Sequence, residues 1–188
     1  MIAGVVLAAG ESSRLGSPKQ LVRVKERTLL VHTADCLVRG GCARVAVVLG
    51  ASMEKIVPTL IGLEAKVVVN EDWREGIASS IRAGISALAD EVEAVVLATC
   101  DQPRLEPDVV RRLIARFDGV PECMVACEYA GTVGVPALFG RGRFEELLQL
   151  RGESGARRLL RGNIDRVVRV PWPGGTFDVD LPSDREKI

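Results

Sequence analysis

Arg14 and Lys19 stand five residues apart in a stretch that reads LAAGESSRLGSPKQL from Leu7 to Leu21, beside two glycines, three serines and a proline. Linking two elements takes roughly 4–6 residues, and this connection is about twice that. Glycine, serine and fixed positive charge together suit an anion. Backbone N–H groups from Gly10 to Ser13 can wrap phosphate oxygens, while Arg14 and Lys19 offset the charge of departing pyrophosphate. The alternative is a solvated turn. Gly10 and Gly16 leave five residues between them with no Gly-Lys-Ser following, so this is not a Walker loop, and no GxGxxG marks a dinucleotide fold.

Carboxylates supply the complementary chemistry. Asp101 directly follows the apolar run EAVVLATC, and Gln102-Pro103 keeps it from continuing into a helix. There it can hold magnesium against triphosphate oxygens, or simply cap a turn. FDVDLPSD offers Asp178, Asp180 and Asp184, and strand alternation turns Asp178 and Asp180 to one side. A third cluster comprises Asn70, Trp73, Gly76, Ser79 and Ser80. Its serines fall near a first helical turn whose N–H groups lack partners, a place for an anion or a polar ring; the plainer reading is a core tryptophan and two capping serines.

The elements that must position these groups are legible as patterns. IAGVVLAA, ARVAVVLG, AKVVVN and EAVVLATC lack polar alternation, as strands buried on both faces do. Ile77, Ile81, Ile85 and Leu88 share a helical face, as do Val109, Val110, Leu113, Ile114 and Phe117 behind an acidic, proline-containing start. The βαβαβαβ order predicts an α/β fold: a doubly wound, mostly parallel sheet flanked by helices. Beyond Phe117, MVACEY, VPALF, RVVRV and FDVD read as strands, and FEELLQL and ESGARRLL as short helices. No repeat or linker divides the chain, so a single domain over 1–188 is expected.

Composition excludes several classes. Twenty-five basic residues balance 25 acidic ones, so no nucleic-acid tract or anionic membrane surface is indicated. MIAGVVLAAG has no basic leader, and no apolar run reaches the ~20 residues of a membrane span. Five cysteines without paired CxxC spacing read as reduced, mostly buried thiols rather than a zinc site. A cytoplasmic protein is expected. The lone histidine, His32, falls in a helix away from every motif.

LAAGESSRLGSPKQL resembles the nucleotidyltransferase signature LAAGxSxRxGxxKQ, and specifically that of the molybdenum cofactor cytidylyltransferase group. NEDWREGIASSIRAGI, CDQPRL, GVPALF, GESGARRLL and DVDLPSD resemble the same group's later segments in order. The resemblance implies a nucleotide-diphospho-sugar transferase-like fold of Rossmann type and magnesium-dependent transfer of CMP from CTP to the phosphate of a molybdopterin-type cofactor. It places the nucleotide on Leu7, Ala8, Ala9, Gly10, Ser12, Ser13, Arg14 and Lys19, with Arg14, Lys19 and Asp101 catalytic. Asp101 and Asp180 would hold Mg2+, and Asn70, Trp73, Gly76, Ser79 and Ser80 the acceptor. A molybdoenzyme would receive the product. Guanylyl relatives read Leu-Ala-Gly-Gly where this chain has Leu7-Ala8-Ala9-Gly10, which implies CTP over GTP. The chain departs from the group at Val135, where His or Asn is common, at Glu153 for Asp and at Leu181 for Thr. Two other readings remain open: a nucleotidyltransferase for another phosphorylated acceptor, and a non-catalytic protein that carries the finished cofactor to a xanthine dehydrogenase-type enzyme.

Overall fold

The computed structural model describes residues 1–88 and 92–188. Strand β1 (Ile2–Ala8) leads into 3-10 turns at Ser13–Leu15 and Lys19–Leu21, a hairpin of β2 (Arg23–Val24) and β3 (Arg27–Thr28), and helix α1 (Leu29–Arg39). There follow β4 (Arg44–Leu49), α2 (Met53–Ile56), β5 (Lys66–Val69), α3 (Ile77–Ser86), β6 (Ala94–Thr99) and α4 (Pro107–Ile114). The remainder comprises β7 (Met124–Tyr129), β8 (Thr132–Gly140), α5 (Phe144–Leu148), α6 (Ala156–Gly162), β9 (Val167–Pro171) and a closing 3-10 turn, Pro182–Lys187.

Seven strands form one sheet in the order β5-β4-β1-β6-β8-β7-β9. Only β8 runs against its neighbours, so the sheet is mostly parallel and doubly wound, as the sequence predicts. Helices α1 and α4 cover one face through Leu30, Leu37, Val110 and Leu113, and α3, α5 and α6 the other through Ile81, Ile85, Leu147 and Leu160. Thr28 starts α1 by accepting the Val31 N–H at 3.3 Å, and Pro107 starts α4 where no N–H is needed. From β1 the chain winds outward to β4 and β5, then returns to β6 on the other side of β1. A crevice therefore opens beyond the carboxyl ends of β1 and β6, where the Gly10 and Asp101 loops emerge.

Some elements differ from expectation. AKVVVN is not buried on both faces: β5 is the sheet's edge, and Val67 and Val69 are 38% and 49% exposed. FDVD joins no strand, although Val179 is buried and its N–H donates to Asp101 O at 2.8 Å. Both helices stop short, α3 before Leu88 and α4 before Phe117. The β2–β3 hairpin was unforeseen, because two-residue strands are too short to show a period.

Candidate active site

The loop after β1 is held from inside. Gln20, 1% exposed, donates through Nε2 to Ala8 O at 2.7 Å and to Gly10 O at 3.0 Å, and the Ala51 N–H binds Ala9 O at 3.0 Å. Ser12 adopts a left-handed conformation at φ 58°, and its Oγ accepts the Lys19 N–H at 3.1 Å. Three consecutive carbonyls are thus satisfied internally, while Gly10, Ser13 and Arg14 stay exposed at the rim. Gln20 was quoted within the sequence motif without a role; its position after Lys19 in that motif was the only signal.

Lys19 leaves this anchored backbone and crosses the cleft floor. Its Nζ lies 3.1 Å from Asp101 Oδ2 and 2.7 Å from Asp180 Oδ1. Asp101 and Asp180, the two carboxylates expected to share a metal, thus meet on one ammonium. Burial alone would lower the Lys19 pKa, but attraction to Asp101 and hydrogen bonds to both carboxylates outweigh it and raise the pKa above the ordinary lysine value. Asp180 is fixed by Asp184, whose Oδ2 accepts the N–H groups of Asp180 at 3.2 Å and Leu181 at 2.8 Å. Desolvation, then repulsion from Asp101 and Asp180, pushes the nearby Asp178 carboxyl up to about 6. Among the described residues no group of three or more His, Cys, Asp or Glu side chains could hold a metal ion. Two carboxylates converging on one cation nevertheless suit magnesium, which commonly takes one or two protein carboxylates and completes its shell with phosphates and water.

The opposite wall is the start of α3. Asn70 Nδ2 donates to Ser79 Oγ at 2.9 Å and Ser80 Oγ at 3.0 Å, and Ser79 Oγ donates to Gly76 O at 2.8 Å. Gly76 has φ 119°, and a Cβ there would lie 2.5 Å from Gly152 O, so only glycine fits. Glu75 binds Arg82 through both carboxylate oxygens and accepts the Gly152 N–H at 3.2 Å, which ties the Glu153 loop to this wall. Arg74 lies over the Trp73 ring at 4.3 Å.

A cleft of about 720 Å³ joins these parts. Every residue expected at the nucleotide or the metal lines it: Leu7, Ala8, Ala9, Gly10, Ser12, Ser13, Arg14, Lys19, Asp101 and Asp180. Of the five expected at the acceptor, Trp73, Gly76 and Ser80 line it, whereas Asn70 and Ser79 are buried behind it, Asn70 holding Ser80 and Ser79 bonding to Gly76 O. Sequence reasoning gave no part in the site to Glu11, Arg74, Ile77, Thr99 or Cys100, which also line it, and noted Glu153 only as a departure. His32 lies in α1, outside the cleft, with Nε2 2.9 Å from Leu105 O. All five cysteines are free thiols, four of them buried.

The model of the MobA-like NTP transferase domain matches residues 4–168. The chain is 39% identical to nicotine blue oxidoreductase of Paenarthrobacter nicotinovorans, over 100% of this chain and 91% of that protein. It is 27% identical to a probable molybdenum cofactor guanylyltransferase of Nostoc sp., over 97% of this chain and 88% of the relative. The crystal structure of Mycobacterium tuberculosis Rv0371c superposes with TM-score 0.87 at 34% identity, covering 99% of this chain and 95% of that one. Its manganese complex gives TM-score 0.82 at 30% identity, covering 99% and 96%. No described helix is long and apolar enough to cross a membrane. The chain belongs to the MobA-like NTP transferase family.

Proposed function

We propose that this chain, as one domain acting in the cytoplasm, transfers CMP from CTP to the terminal phosphate of a molybdopterin-type cofactor and releases pyrophosphate. The observation that carries this reading is the convergence of Asp101 and Asp180 on the Lys19 ammonium beneath a Gly-Ser-Arg loop. Fixed cationic groups and a carboxylate pair serve a reaction in which charge gathers on phosphoryl oxygens. Asp101 and Asp180 would hold Mg2+, which when bound neutralises charge on the α-phosphoryl and pyrophosphate oxygens.

Each side chain then has a task. The loop's N–H groups from Gly10 to Ser13 receive the phosphates, with Arg14 and Lys19 neutralising the departing pyrophosphate. Leu7, Ala8 and Ala9 lie beside the base, where the Ala9 methyl takes room that a purine would use. One methyl supplies about 1–3 kcal/mol of discrimination, so a strict choice of CTP needs other contacts too. Trp73, Gly76 and Ser80 face the acceptor, with Ser80 held by Asn70. The acceptor phosphate is ionised at neutral pH and needs no general base, in keeping with a cleft that contains no histidine among its lining residues. Among molybdoenzymes, one that uses the cytidylylated cofactor would receive the product.

A second reading rests on the 39% identity to a protein named nicotine blue oxidoreductase. One experiment separates the two. Purified protein is given α-labelled CTP, GTP or ATP with magnesium and molybdopterin, and in parallel a reduced nicotinamide cofactor with a dye acceptor. The proposal expects label in the acceptor, with the highest specificity constant for CTP. Nicotinamide oxidation without any nucleotidyl transfer would establish the second reading, and cofactor binding with neither reaction would establish an accessory role.

A further inference from the structure

The cation position between Asp101 and Asp180 is already filled by a side chain of the protein itself. Lys19 Nζ is within 3.1 Å of one carboxylate and 2.7 Å of the other, and the lysine side chain is only 17% exposed. A magnesium ion bonded to the same two oxygens would sit about 2.0–2.1 Å from each, which overlaps the ammonium. The two cations cannot share the position. We propose that Lys19 is a built-in competitor for the metal: it occupies the carboxylate pair in the free enzyme and yields it only when nucleotide phosphates draw the ammonium away. This rests on the nucleotidyltransferase reading and adds to it an order of events, polyphosphate first or together with the metal.

The surroundings allow the side chain to move and little else. The Lys19 backbone is pinned by its N–H to Ser12 Oγ, and its neighbour Gln20 is locked to Ala8 and Gly10. On the far side, Asp101 O accepts the Val179 N–H, and Asp184 holds the backbone at Asp180, so the two carboxylates are tied to one another through their main chains. Four rotatable side-chain bonds can carry the ammonium from this pair toward the loop around Gly10–Arg14, which lines the same cleft. An ammonium in this place also removes the repulsion that two closely placed carboxylates would otherwise suffer when no metal is bound.

The test is Mn2+ binding without nucleotide, followed by the electron-spin signal of the free ion, on the full chain and on Lys19→Met, Lys19→Arg and Arg14→Met. Lys19→Met is expected to tighten Mn2+ binding by about tenfold or more, the scale of one close charge–charge contact. Lys19→Arg should stay as weak as the wild type. Arg14→Met, which removes a cleft cation that makes no contact with the pair, should change affinity little. Melting gives a second readout: Lys19→Met should melt lower than the wild type in chelator and regain stability as Mn2+ is added, while the wild type responds weakly. Equal Mn2+ affinity in the wild type and Lys19→Met, or equal gains from Lys19→Met and Arg14→Met, overturns the inference even if the wild type transfers nucleotide. Tighter metal binding by Lys19→Met together with a wild type that transfers no nucleotide would leave the competition standing and remove the reading on which its order of events rests.

Discussion

Gln20 shows how a site can depend on a residue that acts by holding a loop's main chain. Its carboxamide meets two loop carbonyls from a fully buried position, so Gln20→Leu would leave both without this donor. The loss should cost about 1–3 kcal/mol of stability. It should also raise KM for the nucleotide more than it lowers kcat, because the loop is displaced while Asp101 and Asp180 stay in place. Unaltered nucleotide KM with an intact fold would show that the loop holds its own shape. Lys19→Ala, in contrast, should slow turnover at saturating nucleotide, since it removes a charge aimed at the leaving group. At this scale the chemistry was readable: Arg14, Lys19 and Asp101 declare themselves by charge type next to strand ends. The Lys19 contacts were not, because they join residues 82 and 161 positions apart and depend on the fold.

The wall formed by α3 depends on the junction at Gly76. Gly76→Ala must relieve both a left-handed φ and a Cβ close to Gly152 O, so destabilisation of at least about 1 kcal/mol is expected, together with weaker acceptor binding. Chemical denaturation and acceptor KM report the two effects; no change in either would show that the Gly152 loop yields freely. The same junction carries a pH dependence. Hydrogen bonds from Arg82 and from the Gly152 N–H hold the Glu75 carboxyl down at about 2. A carboxylate whose pKa falls on folding stabilises above its unfolded value, near ~4.3, and loses that contribution as pH drops toward the folded one. The wild type should therefore melt above Glu75→Gln at pH 6, and the gap should close between about pH 4.5 and pH 2. The pair is exposed, so high salt should narrow it as well. A gap independent of pH would assign the effect to packing. Helix faces such as Ile77, Ile81 and Ile85 were visible as a period. The left-handed turn that lets Glu75 reach the Glu153 loop was not, since a single glycine in sequence does not announce its φ.

Across the whole molecule, the fold brings together beyond the carboxyl ends of β1 and β6 what lies far apart in the chain: Gly10, Asp101, Glu153 and Asp180. Continuous apolar runs made the parallel core legible, because strands covered on both faces lose their polar alternation. The direction of β8 was not legible, as a buried apolar strand reads alike whichever way it runs. Edge position likewise is a property of the assembled sheet, and so β5 looked as apolar as β4 while Val67 and Val69, two of its three valines, are exposed. FDVD kept the alternation of a strand without joining one; a backbone bond from Val179 to Asp101 O and the Asp184 carboxylate on the Asp180 and Leu181 N–H groups hold Asp180 at the cleft.

That convergence is the centre of the functional account, and magnesium titration of pyrophosphate release tests it most directly. Wild type and Asp101→Asn are compared at saturating CTP and acceptor, with melting curves confirming that both are folded. If Asp101 and Asp180 form the metal position, wild-type turnover saturates with magnesium, and Asp101→Asn loses several orders of magnitude, on the scale of removing a principal electrostatic stabiliser, without rescue by excess metal. An Asp101→Asn enzyme with ordinary turnover and ordinary magnesium dependence would contradict the account and leave Asp101 as a structural partner of Lys19.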